Sequence, residues 1–210
     1  MKNKFILLAI LLLGLVLRLY KINIPLADHH SWRQADTAAV ARNFIKEGFT
    51  FLKPKIDNFV PLHPGVPNIE RLFLVEPPIY NSIVAGVYSV LGVQVKFARV
   101  VSILFSLGSL IFLYLISAKF FGDKVGLLSA FFFAVIPYNV FYSRAVLPEP
   151  MIIFLTLGMF WFCLKWLETN SILHFTFFIL HSALSFSQKS FPLFFLLPIV
   201  YLFWEKFKFS

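Results

Sequence analysis

A succession of uncharged apolar runs limits the fold of this chain more than any other feature. They span 5–17, 77–95, 100–118, 125–143, 150–167 (broken by Lys165), 169–188 and 190–204. Several approach the roughly 20 residues that cross a bilayer as a helix. With 14% charged residues and a mean hydropathy of +0.81 over 210 residues, the chain is too apolar for a soluble domain. The class is an all-α polytopic membrane protein. The net charge of +9 does not indicate nucleic acid, because Lys and Arg are scattered between the runs with no basic domain. It fits cytoplasmic loops under the positive-inside rule and contact with anionic headgroups. The single cysteine, Cys163, lies inside an apolar run, so neither a disulfide framework nor a cysteine metal site is available.

Between Asp28 and Pro78 the pattern changes. About fifty residues hold three of the five His, six of the ten acidic residues and a group of Arg and Lys. Connections of that length are usually functional or disordered. Trp32, Phe44, Phe49, Phe51, Phe59, Phe73 and Leu74 give this one apolar material to bury, so it reads as a folded cap on the outer face. Ser31-Trp-Arg-Gln34 has the form of a capping box opening a helix of about 32–47, with Gly48 as terminator. That helix places Arg33 and Asp36 three apart on one face. Six prolines, at 54, 61, 64, 67, 77 and 78, then exclude long regular structure.

Lys2 and Lys4 precede the run 5–17, which is signal-like, but Arg18-Leu-Tyr-Lys21 offers no small-residue cleavage site. A retained first span, 5–21, is expected, with Arg18 snorkelling to the interface beside Tyr20. The run 77–95 is diluted by Asn81, Ser82, Gly86, Ser89, Gly92 and Gln94. Laid against the membrane rather than through it, this run gives the better charge distribution. The N-terminus, Lys119, Lys124, Lys165, Lys206 and Lys208 then all face the cytoplasm, and the long loop, Arg144 to Glu149 and Lys189 meet outside. The expectation is one module over 1–210 in the plasma membrane, with about six spans and both termini cytoplasmic. An extracytoplasmic loop with interfacial helices, 22–96, would be followed by spans near 97–119, 125–143, 149–167, 170–188 and 190–205.

Individually the polar residues say little. Glu149 stands between two prolines at a span boundary, where irregular backbone needs protein or water around it. Either a reactive carboxylate or a plain interfacial charge fits there. Lys189 interrupts two apolar runs and could bind an anionic headgroup or simply sit in a turn. Glu76 precedes Pro77-Pro78. Arg33 with Asp36 could be no more than a surface pair, worth a few tenths of a kcal/mol. The adjacent His29 and His30 point apart on regular backbone and make a weak metal site. His174 and His181, two turns apart, suit interhelical hydrogen bonds. No P-loop, zinc-protease or Gly-rich nucleotide motif is present.

Their order carries more. A first span is followed by a loop helix with Ala38-Ala-Val-Ala-Arg-Asn-Phe44, then by Glu76-Pro-Pro-Ile-Tyr80 and by a glycine-ended helix with an arginine beyond it, Gly92 to Arg99. Leu147-Pro-Glu-Pro-Met151 and Lys189 at the top of a later span complete the set. The succession resembles GT-C membrane glycosyltransferases, in particular the bacterial branch similar to protein O-mannosyltransferases and the lipid A aminoarabinose transferase. The chain differs from that pattern in two ways. Many relatives carry Asp-Glu where this chain has Arg33-Gln34, leaving Asp36 one turn on and Asp28 before the helix. Relatives also continue for further spans, so the chain matches an N-terminal portion.

The resemblance implies transfer of a sugar from a polyprenyl-phosphate-linked donor to a glycan, lipid or protein acceptor at the extracytoplasmic face, with inversion. Asp36 or Glu149 would serve as general base or acceptor-positioning group and Glu76 would orient the site. Arg33, Arg99 and Lys189 would meet the phosphate, with His30 nearby. A divalent metal is possible in such a site but is not required by the residues. The alternative is a non-catalytic or degenerate subunit that binds a lipid-linked carrier. A transporter would want internal repeats, and none is visible.

Overall fold

The computed structural model describes residues 2–61 and 64–208, without the side chains of Lys2 and of 205–208. His63 in the loop, and the lysines at 2, 206 and 208 assigned to the cytoplasmic end, therefore have side chains outside the described residues.

Among the described residues the chain is helical, with no strand beyond a single bridge between Lys55 and Leu72. The helices are α1 (Lys2–Leu19), α2 (Ser31–Lys46), α3 (Ile79–Leu91), α4 (Val95–Phe121), α5 (Asp123–Val135), α6 (Pro137–Tyr142), α7 (Glu149–Thr169), α8 (Ile172–Gln188) and α9 (Leu196–Lys208), with a 3-10 turn at Phe191–Phe195 before α9. Two of them, α4 and α7, are long and apolar enough to cross a membrane. Apolar segments at α3, α8 and Phe191–Trp204 are shorter.

Small residues let these helices approach, as they do when lipid leaves little hydrophobic drive between spans. A Cβ at Gly108 would meet the Phe154 ring at 2.6 Å, and one at Gly158 would meet His181 Cδ2 at 2.4 Å. Gly108 thus seats α4 on α7, and Gly158 seats α7 on α8. His181 keeps its Nδ1 on its own helix, 2.8 Å from Phe177 O, whereas His174 reaches Thr169 Oγ1 at the end of α7.

The run 125–143 is not one helix. Ile136, at ψ 122°, leaves helical geometry between α5 and α6, and Pro137 has no N–H to return to Phe133 O. Arg18 serves this break instead of snorkelling. Its Nη2 donates to Phe133 O (3.2 Å), its Nη1 to Ala134 O (3.0 Å) and Gly14 O (2.9 Å), and its Nε to Ser106 Oγ (3.2 Å). The residue is wholly buried. A guanidinium has five donors in a fixed fork, and here it serves Ala134 O at the break while sharing Phe133 O with Asn139.

The two ends of the bundle differ. At one end Asn3 donates to Asp123 Oδ2 (2.7 Å), and Lys119 and Lys165 share Glu168. At the other end Arg144 reaches Tyr20 O, Val146 N donates to Gln34 Oε1 (3.0 Å) and Gln188 Nε2 donates to Pro77 O (2.9 Å). The segment 28–78 and the ends of α1, α6 and α8 therefore meet there, at the start of α7. From that end α3 doubles back along the first turns of α4. The Tyr80 hydroxyl lies 2.7 Å from Ser102 Oγ, which donates to Ala145 O (2.7 Å).

The capping box does not form. His30, at φ 57°, is the residue before the helix, Ser31 is its first residue, and no side chain caps it. Gln34 is drawn instead to Asp28 Oδ1 (2.8 Å) and His29 O (3.0 Å), because its other end is fixed by Val146 N. Gly48, at φ 96°, follows the helix as expected. The apolar residues of the loop are less buried than their composition suggests: Phe44 is buried, but Trp32, Phe49, Phe51, Phe59 and Leu74 are exposed.

Candidate functional site

The site starts from the position of α2. Gln34 is fully buried and tied to both the α1–α2 connection and the α6–α7 connection, so the first turn of α2 lies over the N-terminus of α7. Asn81 Nδ2 donates to Thr37 O (2.7 Å) and holds α3 to the next turn.

From this first turn Arg33 Nη2 donates to Glu76 Oε1 at 2.6 Å, with side chains 13% and 6% exposed. The guanidinium also lies 4.8 Å from the centre of the Phe73 ring, a cation–π contact. Glu76 is held in place because Pro77 and Pro78 fix the backbone after it and Gln188 binds Pro77 O. Next to Gln188, Lys189 Nζ donates to Glu149 Oε1 at 2.5 Å. Glu149 is the first residue of α7, where the helix dipole favours a carboxylate. Its other oxygen, Oε2, is buried and has no partner among the described residues. Beside Glu149 lies a cavity of about 30 Å³, lined in part by Ser106, Asn139 and Ser143, with room for about one water molecule.

The two ion pairs belong to one electrostatic cluster. Burial pushes the Glu76 carboxyl above its ordinary range, Arg33 and Lys189 pull it down, and Glu149 pushes it up. Asp36 lies one turn beyond Arg33 on the same face of α2. It accepts a long contact from Asn58 Nδ2 (3.4 Å) and lines a cavity of about 770 Å³ between α2 and the proline-rich segment. Burial raises its pKa, and Asn58 and Arg33 oppose the shift.

The structure thus brings together Arg33, Glu76, Glu149 and Lys189, with Asp36 alongside. It places Arg99 elsewhere. Arg99 is buried and donates to Ile22 O (2.7 Å), Ile24 O (2.5 Å) and Pro25 O (3.3 Å), so it anchors the chain leaving α1. His30 forms the corner before α2, its ring 4.2 Å from His29 and 6.2 Å from Tyr142. Among the described residues no three His, Cys, Asp or Glu side chains are grouped as metal ligands. Sequence reasoning missed Gln188 and Asn58. A polar residue beside the lysine that ends an apolar run was the available signal for Gln188; Asn58 gave none.

A family described as dolichyl-phosphate-mannose-protein mannosyltransferase matches residues 75–209, which take in Glu76, Glu149 and Lys189 and stop short of α2. No match to a curated protein accompanies it. The match extends over more than half of the sequence and fits a helical chain with membrane-length apolar helices. The chain belongs to the dolichyl-phosphate-mannose-protein mannosyltransferase family of membrane glycosyltransferases.

Proposed function

We propose that this chain transfers a sugar from a polyprenyl-phosphate-linked donor to an acceptor at the extracytoplasmic face of the membrane. The observation that supports it is the convergence of two cation–carboxylate pairs, Arg33 with Glu76 and Lys189 with Glu149, at one end of an apolar helical bundle. Such a cluster suits a reaction in which negative charge grows on a departing phosphate oxygen.

In this mechanism Asp36 accepts the proton as the acceptor oxygen attacks the anomeric carbon. The bond from that carbon to the phosphate oxygen breaks, and its electron pair stays on the polyprenyl phosphate. Attack opposite to the leaving group inverts the anomeric centre. Lys189 stabilises the departing phosphate, Glu149 holds Lys189 in place, and Arg33, aligned by Glu76, supplies a second cation. Arg99 is left out of phosphate binding, because it is buried and gives three hydrogen bonds to backbone carbonyls of 22–25. The leaving group is already an anion, so no general acid is required.

The surrounding topology is part of the proposal. It has six spans, termini in the cytoplasm and α3 lying against the outer face. The arrangement of helix ends supports it, since the α2 loop, the start of α7 and Lys189 meet without α3 having to cross.

The test uses the full chain in nanodiscs with a mannosyl-phosphate polyprenol and measures release of polyprenyl phosphate. Release that falls at least a hundredfold in both Asp36→Asn and Lys189→Met supports the assignment. Donor binding without release, equal in the parent and both variants, would instead identify a non-catalytic carrier-binding subunit.

A further inference from the structure

We infer that the cavity of about 770 Å³ beside Asp36 takes the apolar chain of a lipid acceptor, with the acceptor's hydroxyl on the Asp36 carboxylate. This rests on the proposed role of Asp36 as base and adds the chemical class of the acceptor.

Size and lining carry the inference. The volume lies within the range of sites that enclose small molecules. The walls come mostly from apolar side chains, Trp32, Val60, Phe73 and Leu74 among them, and two ionisable groups, Arg33 and Asp36, stand at one wall. Arg33 is committed to Glu76 and the Phe73 ring, whereas among the described residues Asp36 has a single long contact, from Asn58. A carboxylate with the Asn58 amide beside it, in an otherwise mostly apolar cleft, complements a molecule with one polar end and a hydrocarbon body. A glycan would leave many hydroxyls against apolar walls, and an extended peptide would leave backbone N–H and C=O groups there, each at a cost when unpaired.

The rest of the cap points the same way. Its ion pairs, Arg42 with Asp57, Lys53 with Glu70, and Lys55 and Arg71 with Glu47, involve none of the cleft's charged residues. Around the cleft Trp32, Phe59, Val60, Leu74 and Val75 are more than half exposed. Contiguous exposed apolar surface marks an interaction site, and here it lies at the end of the bundle where spans begin, within reach of a bilayer leaflet.

The full chain in nanodiscs, with Trp161, Trp166 and Trp204 replaced by Phe, leaves Trp32 as reporter. A dibrominated twelve-carbon primary alcohol is titrated as quencher, against the same chain ending in a methyl ether. The expected result is saturable quenching that is abolished in Leu74→Asp, an exposed position whose change should leave folding intact. The alcohol should bind about tenfold more tightly than the ether, because a hydrogen bond to a charged group is lost in the ether. Asp36→Asn should reduce that preference to about threefold or less. Quenching that rises linearly with the alcohol, or is unchanged in Leu74→Asp, overturns the lipid cleft while leaving the base assignment to the turnover assay. Saturable quenching with the same alcohol preference in Asp36→Asn overturns the hydroxyl assignment and takes Asp36 from the acceptor. Displacement of the alcohol by a serine-containing peptide, with none by longer aliphatic alcohols, overturns the choice of lipid.

Discussion

Lys189 Nζ donates to Glu149 Oε1 at 2.5 Å, joining the residue after α8 to the first residue of α7. Both side chains are about one third exposed, at 34% and 35%. A pair open to solvent to that degree contributes less than about 1 kcal/mol to folding, since water screens the charges and two flexible side chains must be ordered. In the proposed reaction its worth is different, because the same ammonium would face charge that develops only as the phosphate departs. Lys189→Met is therefore expected to shift the Tm by no more than a few degrees while lowering turnover about a hundredfold or more. Parallel melting and polyprenyl phosphate release separate the two effects. A large drop in Tm would mean the pair is structural.

Glu76 supplies a pH signature. Its folded-state pKa is raised, chiefly by burial, so the folded protein binds this proton more tightly than the unfolded chain. The contribution to stability is thus fully present below the ordinary carboxylate value and is lost as pH rises through the folded value. Melting temperature across that window should fall with rising pH, and Glu76→Gln should flatten the slope. An unchanged slope in the variant would remove Glu76 as its source.

Arg18 and Pro137 form a second testable pair. Arg18→Met strands Ala134 O, while Phe133 O keeps Asn139. Removing a buried charge offsets part of this loss, so the expected cost is about 1–3 kcal/mol. Adding Pro137→Ala to Arg18→Met lets the helix run on across the break, so that Tyr138 N can reach Ala134 O, and should recover part of it. Thermal unfolding of the parent, single and double variants in one detergent gives the comparison. A double variant no more stable than Arg18→Met would mean that Arg18 does not act through the break.

Gly158 reports on the contact between α7 and α8. A Cβ there would fall 2.4 Å from His181 Cδ2 and 2.8 Å from Nε2, and His181 is 9% exposed with little room to move. Gly158→Ala should destabilise by about 1–3 kcal/mol, and His181→Ser should relieve most of the added strain. Non-additive melting temperatures across the cycle would confirm the contact.

Sidedness is open to direct labelling. In a Cys163→Ala background, single cysteines at Thr50 and Ser190 should react with an impermeant thiol reagent in intact cells, and one at Lys124 should not. All three positions are exposed. Reaction at 50 and 124 with protection at 190 would make α3 a span and separate Lys189 from the α2 loop.

Several elements were legible in the chain itself. Gly48 ended α2 on schedule, and the prolines between 53 and 78 left that segment without a helix, because both effects act within a few residues. Glu76, Glu149 and Lys189 could be singled out because a charge at the end of an apolar run is costly unless it has company. The capping box failed because Gln34 found a partner 112 residues away in Val146, which no local pattern records. Arg18 was misjudged for a similar reason: its span end suggested snorkelling, while the carbonyls that hold it belong to a break more than a hundred residues later. Arg99 shared the charge sought for a phosphate and differed from Lys189 only in what lay around it.

By itself the sequence determined the helical class, the ends of most helices and the charged residues worth following, because hydropathy, proline and glycine act on their own neighbourhood. Tertiary structure decided which of those charges meet. It pairs Arg33 with Glu76 over 43 residues and Lys189 with Glu149 over 40, spends Arg99 on the backbone of 22–25, and sets Asp36 on the wall of a cavity that Arg33 also lines. The physical reason is that an ion pair depends on a distance of a few ångströms in space, and the packing of helices and connections sets that distance.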